Sequence, residues 1–382
     1  MSGLDISVPD IAALAERRSE KWASEGPGVL AMTVAEMDFP LAPAVSAVLR
    51  QALERSDVGY PTAVPARLNE AFAEFARRRL DWEVDPEQVT LAPDVVVAAM
   101  TLLGALLKPG EEVAMAVPAY PPFFSEIPRA GLRLRELALR PAGEMDLDEL
   151  EAALREGARA LLLVNPQNPT GRVLRRAELE RVAELCAEHG AWVLADEIHA
   201  PLTMPGTEFV PWLEVSPAAR ERGFVLTSAS KAFNLAGLKA AHIVTAADGP
   251  ADVVRSLPPI GHAAGLFGVL ASEAAFERGD EWLDAVLAQL EANRELLGAE
   301  LAQRLPEVRW TPPQGTYLAW LDCRALGLGA DPAAAFLERG RVALGSGPRY
   351  GGAGFVRLNF ATSPELVREG VRRMAAALPG AS

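Results

Sequence analysis

Ser228-Ala229-Ser230-Lys231-Ala232-Phe233-Asn234-Leu235-Ala236-Gly237-Leu238-Lys239 is the stretch on which the reading of this chain turns. It follows directly on the apolar run 224–227, so Lys231 stands at the end of a strand, flanked by small hydroxyl residues and apolar neighbours. A lysine so placed is partly desolvated, which lowers its pKa and favours a Schiff base with a carbonyl compound. A lone lysine is more often an exposed loop residue. Its surroundings along the chain decide between the two.

Upstream, the run 192–195 ends in Asp196-Glu197-Ile198-His199. That sets a carboxylate at the carboxyl edge of the same sheet, where ligands of open α/β folds bind. Further upstream, the run 160–164 ends in Asn165-Pro166-Gln167-Asn168-Pro169-Thr170-Gly171-Arg172, whose prolines hold an extended turn with amide side chains able to face a ligand. Turn residues need no function when they occur alone. Three such loops on successive strand ends define one site. Its parts suit a pyridoxal cofactor, in which an aspartate paired with the ring nitrogen makes the ring an electron sink.

Seven short β-rich runs, 88–91, 112–117, 133–137, 160–164, 192–195, 224–228 and 241–245, alternate with helical patterns. Leu161-Leu162-Leu163-Val164 is apolar throughout, as in a strand covered on both faces. The expected fold class is α/β, with a mostly parallel seven-stranded sheet in a large domain and a smaller α+β domain. Leu179, Val182, Ala183 and Cys186 fall at helical spacing in 178–189, with Gly190 as the stop. A long amphipathic pattern over 282–304 leads to strand-like runs at 316–321 and 355–361 and helical patterns at 332–339 and 364–377. The expected division is 1–40 joining the small domain, 41–280 as the large domain and 281–382 as the small one.

Composition excludes several classes of function. Lys and Arg number 37 against 51 Asp and Glu, a formal net charge of −14 that disfavours nucleic acid and anionic membranes. Cys186 and Cys323 are the only cysteines, far apart, and the four histidines form no ligand-like pair, so neither a disulfide framework nor a metal site is expected. Asp5, Asp10 and Glu16 stand where a signal peptide would be apolar, and the uncharged stretch 256–272 is too short and too broken by prolines and glycines to span a bilayer. A soluble cytoplasmic enzyme is the expectation.

These residues together resemble the fold-type I pyridoxal-phosphate enzymes, the aspartate aminotransferase superfamily, over nearly the whole chain. Ala35-Glu36-Met37-Asp38-Phe39-Pro40, Gly59-Tyr60-Pro61, Pro118-Ala119-Tyr120-Pro121-Pro122-Phe123-Phe124, Asp196-Glu197-Ile198-His199 and the lysine stretch carry a narrower resemblance, to the cystathionine β-lyase-like C-S lyases of the MalY/PatB branch. The resemblance implies that Lys231 bonds to the cofactor and moves the α-proton, Asp196 pairs with the pyridine nitrogen, and Asn168 bonds the ring hydroxyl. It places His199 where aminotransferases usually carry a tyrosine, and Tyr120 against the cofactor ring.

Backbone amides at Asp94, Val95 and Val96, opening the helix after Leu91, would hold the phosphate with Ser228, Ser230 and Lys239. The branch usually has glycine at the place of Asp94, and a carboxylate beside a phosphate repels it; either Asp94 turns away as a helix cap or the phosphate site differs. Lys239 stands where many relatives have arginine. Tyr60 matches a tyrosine that reaches the neighbouring subunit's phosphate, implying a homodimer.

Arg357, in Phe355-Val356-Arg357-Leu358-Asn359-Phe360, can bind a substrate α-carboxylate through two parallel hydrogen bonds. Tyr120 and Asn168 are further substrate-binding candidates. The side-chain pocket is expected from Met37 to Phe39, Tyr120, Phe123 and the loop around His262. Gly345-Ser346-Gly347-Pro348-Arg349-Tyr350-Gly351-Gly352 lacks the setting of a nucleotide motif and reads as a mobile loop near the substrate entrance. Glu36 replaces the aspartate common in the branch. The expected reaction is α,β-elimination from cystathionine or another S-substituted L-cysteine. An aminotransferase shares every one of these residues, and a regulatory protein retaining the fold is a third reading; retention of Lys231, Asp196, Asn168 and Arg357 together argues for chemistry.

Overall fold

The computed structural model describes residues 4, 6–62, 65–140 and 143–378; Asp5 and the outermost residues of the expected domain bounds lie outside them. A seven-stranded sheet is built from β2 (Val89–Ala92), β3 (Glu112–Val117), β4 (Arg133–Ala138), β5 (Ala158–Val164), β6 (Trp192–Asp196), β7 (Gly223–Thr227) and β8 (Ala241–Val244). They lie in the order β2-β8-β7-β6-β5-β3-β4. β8 runs antiparallel to both neighbours; every other pair is parallel.

The apolar runs are explained by what covers them. Leu161 and Leu163 of β5 face one core, with Val193 and Ala195 of β6, while Ala160, Leu162 and Val164 face a second core, with Leu194. Alternate residues point to opposite faces, so a strand buried on both sides has no polar positions. Each fully buried leucine contributes about 1.5–3 kcal/mol relative to an exposed one.

The helix Pro121–Arg129, after β3, puts Phe123 and Ile127 into the second core. The helix Arg176–Glu188, after β5, puts Leu179, Val182 and Cys186 into the first. Chain winding therefore reverses between the adjacent strands β3 and β5, which opens a crevice at their carboxyl ends. Tyr120 and Asn168 follow these two strands.

The helix Asp280–Arg304 leads out of this layer toward a five-stranded sheet of order β1-β11-β12-β10-β9. Its strands are β1 (Leu30–Met32), β9 (Arg309–Trp310), β10 (Leu318–Asp322), β11 (Val342–Ser346) and β12 (Phe355–Asn359). β1 joins in parallel beside β11, and the remaining pairs are antiparallel. Buried Asn293 of the long helix donates to Phe360 O at 2.9 Å and Thr362 O at 2.7 Å, fastening the helix to the end of β12. Among the described residues no helix is long and apolar enough to cross a membrane.

Candidate active site

Lys231 lies in the short helix Ala229–Ala232 that follows β7. Ser228 caps it: Ser228 Oγ accepts from Ser230 N at 3.0 Å and donates to Ala240 O at 2.5 Å, with Ser230 Oγ 2.7 Å away. Lys231 Nζ donates to Ala35 O at 3.0 Å. Burial lowers its pKa to about 8, and the positive charge of Arg357 acts in the same direction. Near neutrality a usable share of the amine is therefore unprotonated and nucleophilic.

Asp196, the last residue of β6, is buried and accepts from Ile198 N at 3.2 Å. Burial raises its pKa to about 6, with the Ile198 amide and Lys231 opposing, so it is ionised above that pH. Glu197 does not share the site: it accepts from Trp212 N at 2.7 Å, and burial pushes its carboxyl well up. His199 is buried, edge-on to Tyr317 at 6.1 Å, with Nδ1 unpartnered. Burial, then the charges of Lys231 and Arg357, push its pKa well down, so the ring is neutral.

Asn168, in the turn after β5, and Arg357, on β12 of the other sheet, meet. Arg357 is 3% exposed; Nη1 donates to Asn168 Oδ1 at 3.0 Å, Nη2 to Thr33 O at 2.8 Å, and Nε has no partner. The turn carrying Asn168 depends on Gly171, whose φ is +69° and where a Cβ would lie 2.3 Å from Pro313. Gln167, in the same turn, serves the backbone instead: Nε2 donates to Pro118 O at 2.6 Å and Oε1 accepts from Thr170 N at 2.9 Å. Tyr120 stands edge-to-face with Phe123 at 5.7 Å.

Asp94 caps the helix Val95–Leu106 without leaving the neighbourhood of Lys239. Its Oδ1 accepts from Val97 N at 2.8 Å, and its Oδ2 pairs with Lys239 Nζ at 3.0 Å. The Val95 and Val96 amides begin the helix Val95–Leu106, outside its internal ladder, and are donors for an anion. Tyr60 is 90% exposed.

Several expectations are corrected. Met37, Phe39 and Phe123 are buried in the cores and do not line a substrate pocket, while His262 is exposed on the turn Ile260–Ala263. The glycine-rich segment is not a loose loop. Its first part is β11, Gly347–Tyr350 forms a helical turn, and Tyr350 O accepts from Ala119 N at 2.9 Å.

Sequence reasoning also passed over the way the N-terminal strap is held, and, Lys231 and Arg357 apart, the residues that hold it. Each carbonyl from Thr33 to Asp38 accepts from a distant side chain: Arg357 at Thr33, Asn359 at Val34, Lys231 and Tyr317 at Ala35, Lys21 and Asn359 at Glu36, Asn234 and Arg17 at Met37, and Arg17 at Asp38. Asn234, at φ +58°, also accepts from Met37 N at 2.8 Å. Asn234 stood inside the lysine stretch as a visible signal; backbone acceptors carry none.

The donor set suits pyridoxal phosphate. A softened lysine amine, a buried carboxylate, the orphaned Nδ1 of a neutral histidine and a helix start with free amides follow the carboxyl ends of β7, β6 and β2 of one sheet.

Residues 27–374 match the aminotransferase class I and II family, and the chain belongs to it. Its relatives narrow the class. A Mycobacterium leprae protein named as a candidate cystathionine β-lyase is 41% identical over 386 residues, covering 95% of each chain. The cystathionine β-lyase of Corynebacterium glutamicum is 36% identical, covering 98% of this chain and 100% of its own. The crystal structure of a candidate PLP-dependent β-cystathionase from Corynebacterium diphtheriae superposes with a TM-score of 0.93 at 35% identity, covering 98% of this chain and 99% of the other. The resemblance to fold-type I enzymes, and within them to the C-S lyase branch, is borne out.

Proposed function

We propose that this protein is a pyridoxal-phosphate-dependent carbon-sulfur lyase that cleaves cystathionine or another S-substituted L-cysteine to pyruvate, ammonia and a thiol. The observation that carries the reading is the meeting of Lys231, Asp196, Asn168 and Arg357 at the carboxyl ends of β5, β6 and β7 and on β12, in a chain whose near-full-length relatives bear cystathionine β-lyase names. Pyridoxal phosphate, when bound, supplies the electron sink that makes the α-proton acidic.

The chain's own groups do the rest. Lys231 Nζ, unprotonated in part near neutrality, takes the proton from Cα; the C–S bond at Cβ then breaks with its electron pair leaving on sulfur. Asp196 holds a negative charge where a protonated ring nitrogen needs one. Arg357 grips the α-carboxylate and fixes the Cα–H bond relative to the ring. Asn168 and His199 would hold the ring hydroxyl, Tyr120 would pack against the ring, and Val95, Val96, Ser228, Ser230 and Lys239 would take the phosphate.

We further infer a cytoplasmic homodimer in which Tyr60 reaches the neighbouring subunit. The exposure of Tyr60 and two buried free cysteines, Cys186 and Cys323, support these readings. The division at residues 40 and 280 is proposed with them, supported by the pairing of β1 with β11.

The test incubates purified protein with cystathionine in the absence of any keto acid, measuring pyruvate and thiol, and in parallel follows amino transfer from common amino acids to 2-oxoglutarate or pyruvate. Pyruvate and thiol in equal amounts are expected. Efficient transfer with negligible thiol would overturn the lyase reading in favour of an aminotransferase.

A further inference from the structure

Arg357 makes a contact that no hydrogen bond describes: its Cζ lies 4.7 Å from the centroid of the Tyr350 ring. The bonds to Asn168 and Thr33 lie at the two Nη ends of the guanidinium. They locate the group but leave its tilt about the line between those partners free. A ring face against the guanidinium removes that freedom, and in a buried setting the attraction also favours the charged group.

Tyr350 is itself braced. Its ring meets Trp320 at 5.6 Å, Trp320 stacks on Phe355 at 5.2 Å and 9°, and Arg324 covers the outer face of Phe355 at 5.0 Å. The series of ring contacts, edge-on between Tyr350 and Trp320 and stacked between Trp320 and Phe355, thus runs from a surface arginine to the buried one. Glycines make room for it: a Cβ on Gly352 would stand 2.4 Å from Trp320, and one on Gly345 would stand 3.2 Å from the Tyr350 hydroxyl and 3.1 Å from Arg357 Cβ. The carbonyl of Tyr350 meanwhile accepts from Ala119 N at 2.9 Å, next to Tyr120. One residue therefore braces Arg357 through its ring and the Tyr120 turn through its backbone.

We propose that Tyr350 is a positioning residue for substrate: its ring face sets the plane in which Arg357 presents its N–H groups to the α-carboxylate. The inference rests on the carboxylate-binding role given to Arg357 above. It assigns the effect to the aromatic face and not to the hydroxyl.

The holoenzyme is assayed with an S-alkyl-L-cysteine, with the matching S-alkylcysteamine, which lacks the carboxylate, as a competitive ligand. Y350F keeps the face and should leave KM within about twofold of the parent, whereas Y350L should raise KM about 10-fold with a smaller change in kcat. The inhibition constant of the S-alkylcysteamine should not move in either variant. Should Y350L fail to fold, Y350M, also without a ring, takes its place. Equal KM rises in Y350F and Y350L would overturn the proposal, as would an unchanged KM in Y350L or weakened binding of the cysteamine. R357K separates the two levels: if it leaves KM unchanged, the carboxylate role of Arg357 fails; if it raises KM while Y350L does not, Tyr350 alone is misassigned.

Discussion

Arg357 on β12 and Asn168 after β5 are joined by a buried hydrogen bond, Nη1 to Oδ1 at 3.0 Å, that ties the five-stranded sheet to the crevice of the seven-stranded one. If Arg357 takes the substrate's carboxylate and Asn168 the cofactor's ring, as proposed, the two are addressed by side chains that hold each other. Asn168→Ala removes the acceptor and leaves a buried guanidinium N–H unpaired. Stability should fall by about 1–3 kcal/mol in denaturant unfolding. In steady-state assays KM for the S-substituted cysteine should rise as well, because Arg357 is released from one of its two hydrogen-bond anchors.

If Lys231 is the residue that bonds to the cofactor, it must be neutral to attack the carbonyl carbon, and its pKa is lowered to about 8 by burial and by Arg357. The rate at which cofactor-free protein takes up pyridoxal phosphate should therefore climb with pH and level off above about pH 8. Stopped-flow absorbance follows this directly. Lys231→Ala should bind without the yellow colour of the attached cofactor, and borohydride should label no other lysine.

Asp94 and Lys239 pair at 3.0 Å, so if Lys239 takes the phosphate as proposed, Asp94 competes for it. Asp94→Asn preserves the helix cap, because asparagine caps as well as aspartate, and removes the negative charge. Cofactor retention on dialysis should improve several-fold in D94N. Asp94→Ala should instead lose about 1 kcal/mol of stability with the cap. Weaker retention in D94N would mean that Asp94 holds Lys239 ready for the phosphate.

If Tyr60 serves the neighbouring subunit, an inactive Tyr60 variant mixed with an inactive Lys231 variant should regain part of the activity, since hybrid dimers contain one intact site. Exchange of subunits is checked by mass spectrometry of the mixed dimers. Exchange without recovery would count against a shared site.

His242 of β8 is buried with both ring nitrogens unpartnered, stacked on Phe72 at 5.0 Å, and burial holds its pKa at about 4. The unfolded state, with an ordinary histidine pKa near 6.5, binds the proton that the folded state refuses. Stability should thus fall as pH drops from about 6.5 toward 4, by on the order of 3 kcal/mol over the whole window. Denaturant midpoints at several pH values in this range measure it, and His242→Phe, which suits the aromatic surroundings, should flatten the profile.

The seven strands of the large sheet were legible because both of their faces are covered, which leaves uninterrupted apolar runs such as Leu161-Leu162-Leu163-Val164. Lys231, Asp196 and Asn168 were legible because each sits at or just past the end of such a run, and Arg357 because it is a charge among the apolar residues of β12. β1 and β9, of three and two residues, are too short to carry a period, and β11 was hidden by Gly345 within it. Tyr350 was missed for the same reason: in a glycine-rich run its neighbours suggested mobility, whereas those glycines clear space for Trp320 and Arg357. Met37 and Phe39 were expected in the substrate pocket, but their segment turns its backbone to Lys231 and buries those side chains.

The strap from Thr33 to Asp38 acts as a ruler. Six consecutive carbonyls are matched to donors fixed elsewhere in the chain, so what they require is spacing more than side-chain identity. Loss or gain of a single residue between Met32 and Asp38 would put the carbonyls beyond it out of register with Lys231, Asn234, Asn359 or Arg17 in one event. A point substitution reaches one partner at a time. This stretch should therefore accept changes of letter far more readily than changes of length, unlike an ordinary surface loop, where insertions are readily absorbed.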